Sequence, residues 1–151
     1  MAITRIYLDN CCYNRPFDDQ HQVRVFLETQ AKLYIQEQIK NKEIELAISF
    51  ISRYENNENP DIASGISITN FFRRAAIYIG AENYNEIFNK ADELIKTSIK
   101  MKDALHLSCA IKANCDYFLT TDDKLIKRYN QKEIIVCNPI TFLQQTGDLY
   151  A

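Results

Sequence analysis

The chain has 151 residues, 46% hydrophobic and 25% charged, which fits one domain around one core and excludes a disordered or low-complexity chain. A formal charge of −2 excludes a basic field over the whole surface, so a polyanionic partner would have to be met locally. With four carboxylates set aside for a cation, the remaining chain would carry +2. No run approaches the roughly 18 apolar residues of a membrane span. The N-terminus lacks the apolar stretch of a signal peptide, so a cytoplasmic location and no membrane partner are expected. The five cysteines, Cys11, Cys12, Cys109, Cys115 and Cys137, are odd in number and form no C-x-x-C pair. They read as reduced thiols, three of them packed as small hydrophobes. The spacing of Cys11, Cys12 and His106 gives no support to a zinc site.

In chain order, Ile3 to Leu8 reads as a strand buried on both faces, because Ile6, Tyr7 and Leu8 are consecutive. It ends at Asp9-Asn10. A loop from Cys11 to Asp19 follows, broken by Pro16, with Asp18-Asp19 as a helix cap. His21 to about Lys40 repeats apolar residues at helical spacing. Glu45 to Ser49 is a second strand, and Ser49 caps a short helix to about Asn56. A polar turn, 56-NNENPD-61, leads into a helix from Pro60-Asp61 through about Ile79, stopped by Gly80. Ala81 to Ser98 is helical. Ala104 to Ala113 is apolar nearly all round, as in a buried helix. Tyr117 to Thr120 is a strand, Asp122 to Tyr129 a short helix, Ile134 to Cys137 a strand, and Pro139 opens a last helix to about Gln145. Residues 1–151 show no repeat and no domain boundary.

This alternation predicts an α/β fold, a three-layer α/β/α sandwich on a central, mainly parallel sheet. Sites in such sheets lie at the carboxyl ends of the strands, near the switch in strand order. Asp9 follows the first strand, Glu55 sits on the helix after the second, Asp103 heads the buried helix, and Asp122 follows the Tyr117 strand. Four acids from distant segments can therefore meet at one sheet edge. Two carboxylates about 4 Å apart repel by roughly 4 kcal/mol at an effective dielectric near 20, so such a group stays ionised only around a cation. All-oxygen ligands suit Mg²⁺ or Mn²⁺, and a metal-activated water attacking a phosphodiester is the natural chemistry. The chain has no phosphate-cradling glycine loop, no G-x-S-x-G and no H-E-x-x-H.

Each acid also has a plainer reading. Asp9 serves as a strand-end turn residue, Glu55 as a solvated helix residue, and Asp103 and Asp122 as N-caps. Asp116 reads as structural, and His106 as a core histidine one turn from Asp103. Arg15, Arg53, Lys100, Lys102 and Lys124 flank the motifs, as phosphate contacts or as exposed charge.

The stretches 6-IYLDNCCYNRPFDD-19, 49-SFISRYE-55, 102-KDALHLSCA-110 and 115-CDYFLTTDDKL-125 resemble, in order, the acidic motifs of the PIN-domain family, which includes the ribonuclease toxins of toxin–antitoxin pairs. The resemblance implies a Mg²⁺- or Mn²⁺-dependent endonuclease acting on RNA. Asp9, Asp103 and Asp122 would hold the metal, with Glu55 direct or through water. It also implies a homodimer and an antitoxin partner. The pattern departs from the family at Asn10, where many members carry a small hydroxyl residue, and in the loop that follows. Asp123 stays open beside Asp122 as the fourth acid, and Glu58 beside Glu55. The alternative is a PIN-fold module that binds RNA or protein without catalysis. A phosphoryl-transfer domain of the haloacid-dehalogenase kind would need an acid at position 11, where Cys11 stands.

Overall fold

The computed structural model describes residues 3–147. In chain order it runs β1 (Arg5–Leu8), α1 (Asn10–Asn14), a 3₁₀ turn (Arg15–Phe17), α2 (Val23–Lys40), β2 (Glu45–Ser49), α3 (Phe50–Asn57), α4 (Ile62–Phe72) and β3 (Ile77–Ile79). A 3₁₀ turn (Ala81–Asn83) then leads to α5 (Tyr84–Ile95), α6 (Met101–Lys112), β4 (Tyr117–Leu119), α7 (Asp123–Arg128), β5 (Ile135–Cys137) and α8 (Pro139–Gln145). The sheet is parallel throughout, in the order β3-β2-β1-β4-β5.

The strands alternate between two cores, which makes the three layers. Ile6, Leu8, Leu46, Ile48 and Leu119 pack with α2, α4 and α8 through Ile35, Phe72 and Phe142. Tyr7, Ala47 and Phe118 face the other way, onto α5 and α6 through Ile87, Leu94 and Leu107. Burial on both faces is why these strands read as apolar runs rather than as alternating ones.

Four boundaries differ from the sequence reading. The helix expected to run through Ile79 ends at Phe72. After it the Ala76 N–H donates to Leu46 O at 2.8 Å and draws Ile77–Ile79 onto the edge of β2, so Gly80 ends a strand and not a helix. The loop after Asp9 is helical instead, with α1 capped by the Asp9 side chain and a 3₁₀ turn entered at Pro16. Asp18-Asp19 does not cap α2, whose N-cap is Gln22 with no side-chain bond. The helix expected over Ala81–Ser98 is a 3₁₀ turn followed by α5, ending at Ile95.

The strand order reverses at β1. From there the chain passes to β2 on one side and β4 on the other, so the switch point lies between β1 and β4.

Candidate functional site

Asp9 stands at that switch point. Its N–H continues the ladder by donating to Leu119 O at 2.9 Å. Its Oδ1 accepts from the Asn10 N–H at 2.8 Å, and its Oδ2 accepts from the Thr120 hydroxyl at 2.8 Å and from the Cys11 thiol at 3.6 Å. Thr120 Oγ1 in turn accepts the Asp122 N–H at 3.1 Å, so one buried hydroxyl sets the spacing between the first and fourth acids. Asp122 caps α7 with Oδ1, from the N–H groups of Lys124 and Leu125.

The structure separates Asp122 from Asp123. Arg24 grips Asp123 through two guanidinium nitrogens at 2.6 and 2.8 Å and also donates to Thr121 O at 3.0 Å. Asp122 lines the cavity at the sheet edge and Asp123 does not.

Asp103 lies in the first turn of α6, but the N-cap is Lys100 and makes no side-chain bond. The plain capping role is therefore absent. Among the described residues its carboxylate accepts no hydrogen bond. It is partly buried, and burial first, then the charges of Asp9 and Asp122, push its carboxyl up from the ordinary 3.8 to about 6. The charges of His106 and Lys100 pull the other way but do not cancel that rise.

Glu55 is held differently. Ser49 and Ser52 form a reciprocal capping box that starts α3 straight off β2 and carries Glu55 to the cavity. One carboxylate oxygen meets His106 Nε2 in a close hydrogen bond, and the other lies 2.6 Å from Lys102 Nζ. His106 is 1% exposed, and its Nδ1 lies 2.6 Å from Tyr7 Oη, which reaches Ser49 and Ser52 at 2.7 and 3.0 Å. Burial raises the Glu55 carboxyl, but the hydrogen bonds and charges of His106 and Lys102 bring it below its ordinary value. Glu58 ends α3 as its C-cap and lines the same cavity from an exposed position.

Asp9, Glu55, Asp103 and Asp122 thus line one cavity of about 1330 Å³ at the carboxyl ends of the strands. The four are brought to one place, though not into ligating contact. Among the described residues no three His, Cys, Asp or Glu side chains stand close enough together to hold one ion. The donor set nonetheless fits a hard divalent cation. It is all oxygen, and Asp103, raised by burial and then by its acidic neighbours, is the charge such an ion would offset.

Of the five basic residues flanking the motifs, Lys102 alone lines the cavity. Arg15 is committed to Glu28 and Asp18, and Arg53 stacks on the Tyr78 ring at 4.7 Å. Asp116 is structural, accepting the Arg5 N–H at 2.9 Å. The sequence reading missed Cys11, Thr120, Tyr7 and the two serines as supports of the acids. Tyr7 meets Ser49, Ser52 and His106 across 42 to 99 residues and Thr120 meets Asp9 across 111, and no local pattern marks such pairs.

No family model matches the sequence, and no curated protein matches it. Solved structures do. VapBC2 from Rickettsia felis, bound to a DNA fragment from their promoter, is 22% identical and aligns over 89% of this chain and 98% of that one, with a TM-score of 0.54. FitAcB from Neisseria gonorrhoeae is 17% identical over 89% and 98%, with a TM-score of 0.50. Both are PIN-domain toxin–antitoxin complexes, and the present chain has a PIN-like fold.

Proposed function

We propose that this chain is a Mg²⁺- or Mn²⁺-dependent endoribonuclease, the toxin half of a toxin–antitoxin pair. The observation that carries the reading is Asp103, a partly buried carboxylate without a hydrogen-bond partner among the described residues, raised by burial and then by Asp9 and Asp122 in a cavity shared with Glu55. Asp9, Asp103 and Asp122 would hold the ion, and Glu55 would complete the set directly or through water. When bound, the cation supplies Lewis acidity, acidifying a water for in-line attack and stabilising charge on the phosphate. The chain's own part is positioning. Thr120 spaces Asp9 from Asp122, and His106 aims Glu55.

A toxin also needs a protein partner. On α2 the side chains of Val23, Phe26, Leu27, Leu33 and Tyr34 lie in an exposed apolar row, with Val23 73% exposed. Such a face supports covering by an antitoxin or by a second copy of the chain. Among the described residues no helix is long and apolar enough to cross a membrane.

The second reading, a PIN fold that binds without catalysis, draws on the engagement of Glu55 by Lys102 and His106. End-labelled structured and single-stranded RNAs, incubated with Mg²⁺, Mn²⁺ or EDTA, separate the two. Metal-dependent cleavage by the native chain and none by Asp103→Asn is the expected result. Equal cleavage by both proteins removes the four-acid site. Metal-independent RNA binding without turnover leaves the binding module.

A further inference from the structure

Among the described residues, six acids line the cavity, Asp9, Asp18, Glu55, Glu58, Asp103 and Asp122, and one basic residue, Lys102. That imbalance is a difficulty for a phosphodiester substrate, which an anionic cleft repels. The position of Lys102 is also unexplained by its own helix. It is the second residue of α6, where a cation opposes the helix dipole. Glu55 explains the placement. Lys102 Nζ lies 2.6 Å from Glu55, and the charges of Glu55, Asp9 and Asp103 all favour its charged form.

The pair is asymmetric. The Glu55 side chain is 6% exposed and its other oxygen is fixed by buried His106, whereas the Lys102 side chain is 68% exposed. The acid is anchored from inside, and the lysine is tethered from the solvent by a single ion pair. An anchored acid can exchange its outer partner without moving.

We propose that Lys102 is an exchangeable counter-ion, holding Glu55 while no divalent cation is present and turning to a phosphate of the bound RNA once a cation takes Glu55. The proposal rests on the four-acid reading above. In it the same lysine offsets the charge of Glu55 when no cation is bound and provides the cleft with a basic contact to the substrate. Lys102 therefore competes with the cation and assists the RNA. A lysine with a merely structural role does neither.

The test uses the full chain in two assays. In calorimetry with Mn²⁺, Lys102→Met should bind the ion about two- to fivefold more tightly than the native protein, the scale of one removed ion pair. In fluorescence anisotropy with a labelled single-stranded RNA and saturating Mn²⁺, the same variant should bind more weakly. Its log-affinity against log-salt slope should fall by about 0.7, one phosphate contact on a single strand. Lys102→Arg should restore the slope. Mn²⁺ affinity that is unchanged or weaker in Lys102→Met overturns the proposal, as does an unchanged salt slope. Failure of the underlying reading looks different. There the native protein binds no Mn²⁺, or Asp103→Asn binds it as well as the native protein does.

Discussion

Asp103→Asn should make the protein more stable while destroying the site. The Asp103 carboxyl rises from 3.8 to about 6 in the folded chain, and two units correspond to about 3 kcal/mol at most. Partial exposure lets solvent screen the repulsion, so about 1–2 kcal/mol is the working figure. Asparagine keeps the shape and removes the charge. The sign follows from proton counting. Between pH 3.8 and about 6 the native state binds more protons at this residue than the unfolded state does, so native stability falls as pH rises through that window. Above it the penalty is complete, and below 3.8 it is absent. The gain from Asp103→Asn should therefore be full at neutral pH and fall to about half near pH 5.

Thermal unfolding in EDTA reads this as a rise of about 2–8 °C near pH 7.5, at roughly 2–4 °C per kcal/mol for a chain of this size. Saturating Mn²⁺ should then raise the native midpoint and leave the variant's nearly unchanged, because only the native site binds the ion. A variant no more stable than the native chain in EDTA, or a gain that does not shrink toward pH 5, would refute the argument that burial and its acidic neighbours destabilise the Asp103 carboxylate.

Two further predictions concern charges buried away from the cavity. Lys32 on α2 is 5% exposed, its amine donates to Gln36 Oε1 at 2.6 Å, and burial lowers it from 10.5 to about 8. The unfolded chain holds more protons there between pH 8 and 10.5, so Lys32→Met should stabilise by about 1–3 kcal/mol at pH 7, a gain that fades toward pH 10.5 in urea titrations. Glu28 is fully buried and accepts from Arg15, Arg24 and Asn138. Glu28→Ala removes the acceptor shared by Arg15, Arg24 and Asn138, while Arg15 keeps Asp18 and Arg24 keeps Asp123, so it should cost about 2–3 kcal/mol by the same titration, and a loss below 1 kcal/mol would show the network to be dispensable.

How far the sequence could be read depended on whether a residue's partner was local. Ile6-Tyr7-Leu8 and Glu45–Ser49 were legible as strands because both faces are buried and the runs stand between clear breaks. Ile77–Ile79 was not. It is three residues long, follows α4 by four residues, and leaves Tyr78 exposed at the sheet edge, so nothing local contradicts a helix. The acids show the same division. Asp9 and Asp122 were placed by strand ends that the sequence displays. That Asp103 does not cap its helix, and that Asp123 belongs to Arg24, are facts of tertiary geometry. Glu55 pairs with His106 across 51 residues, and no spacing rule joins them.

A buried chain of hydroxyls lies behind Glu55. In the capping box the Ser52 N–H donates to the Ser49 hydroxyl and the Ser49 N–H to the Ser52 hydroxyl, and both hydroxyls reach Tyr7 Oη, at 2.7 and 3.0 Å. Tyr7 Oη in turn lies 2.6 Å from His106 Nδ1, and His106 Nε2 meets the Glu55 carboxylate. The capping box that starts α3 therefore also orients the acid one turn later on the same helix. The chain joins three acid-bearing segments. Tyr7 lies two residues before Asp9 on β1, His106 three after Asp103 on α6, and Ser52 three before Glu55 on α3. Hydrogen bonds among these buried groups leave little room for the three segments to shift independently. The positions of the acids are thus set beneath the cavity, by groups that never reach its surface.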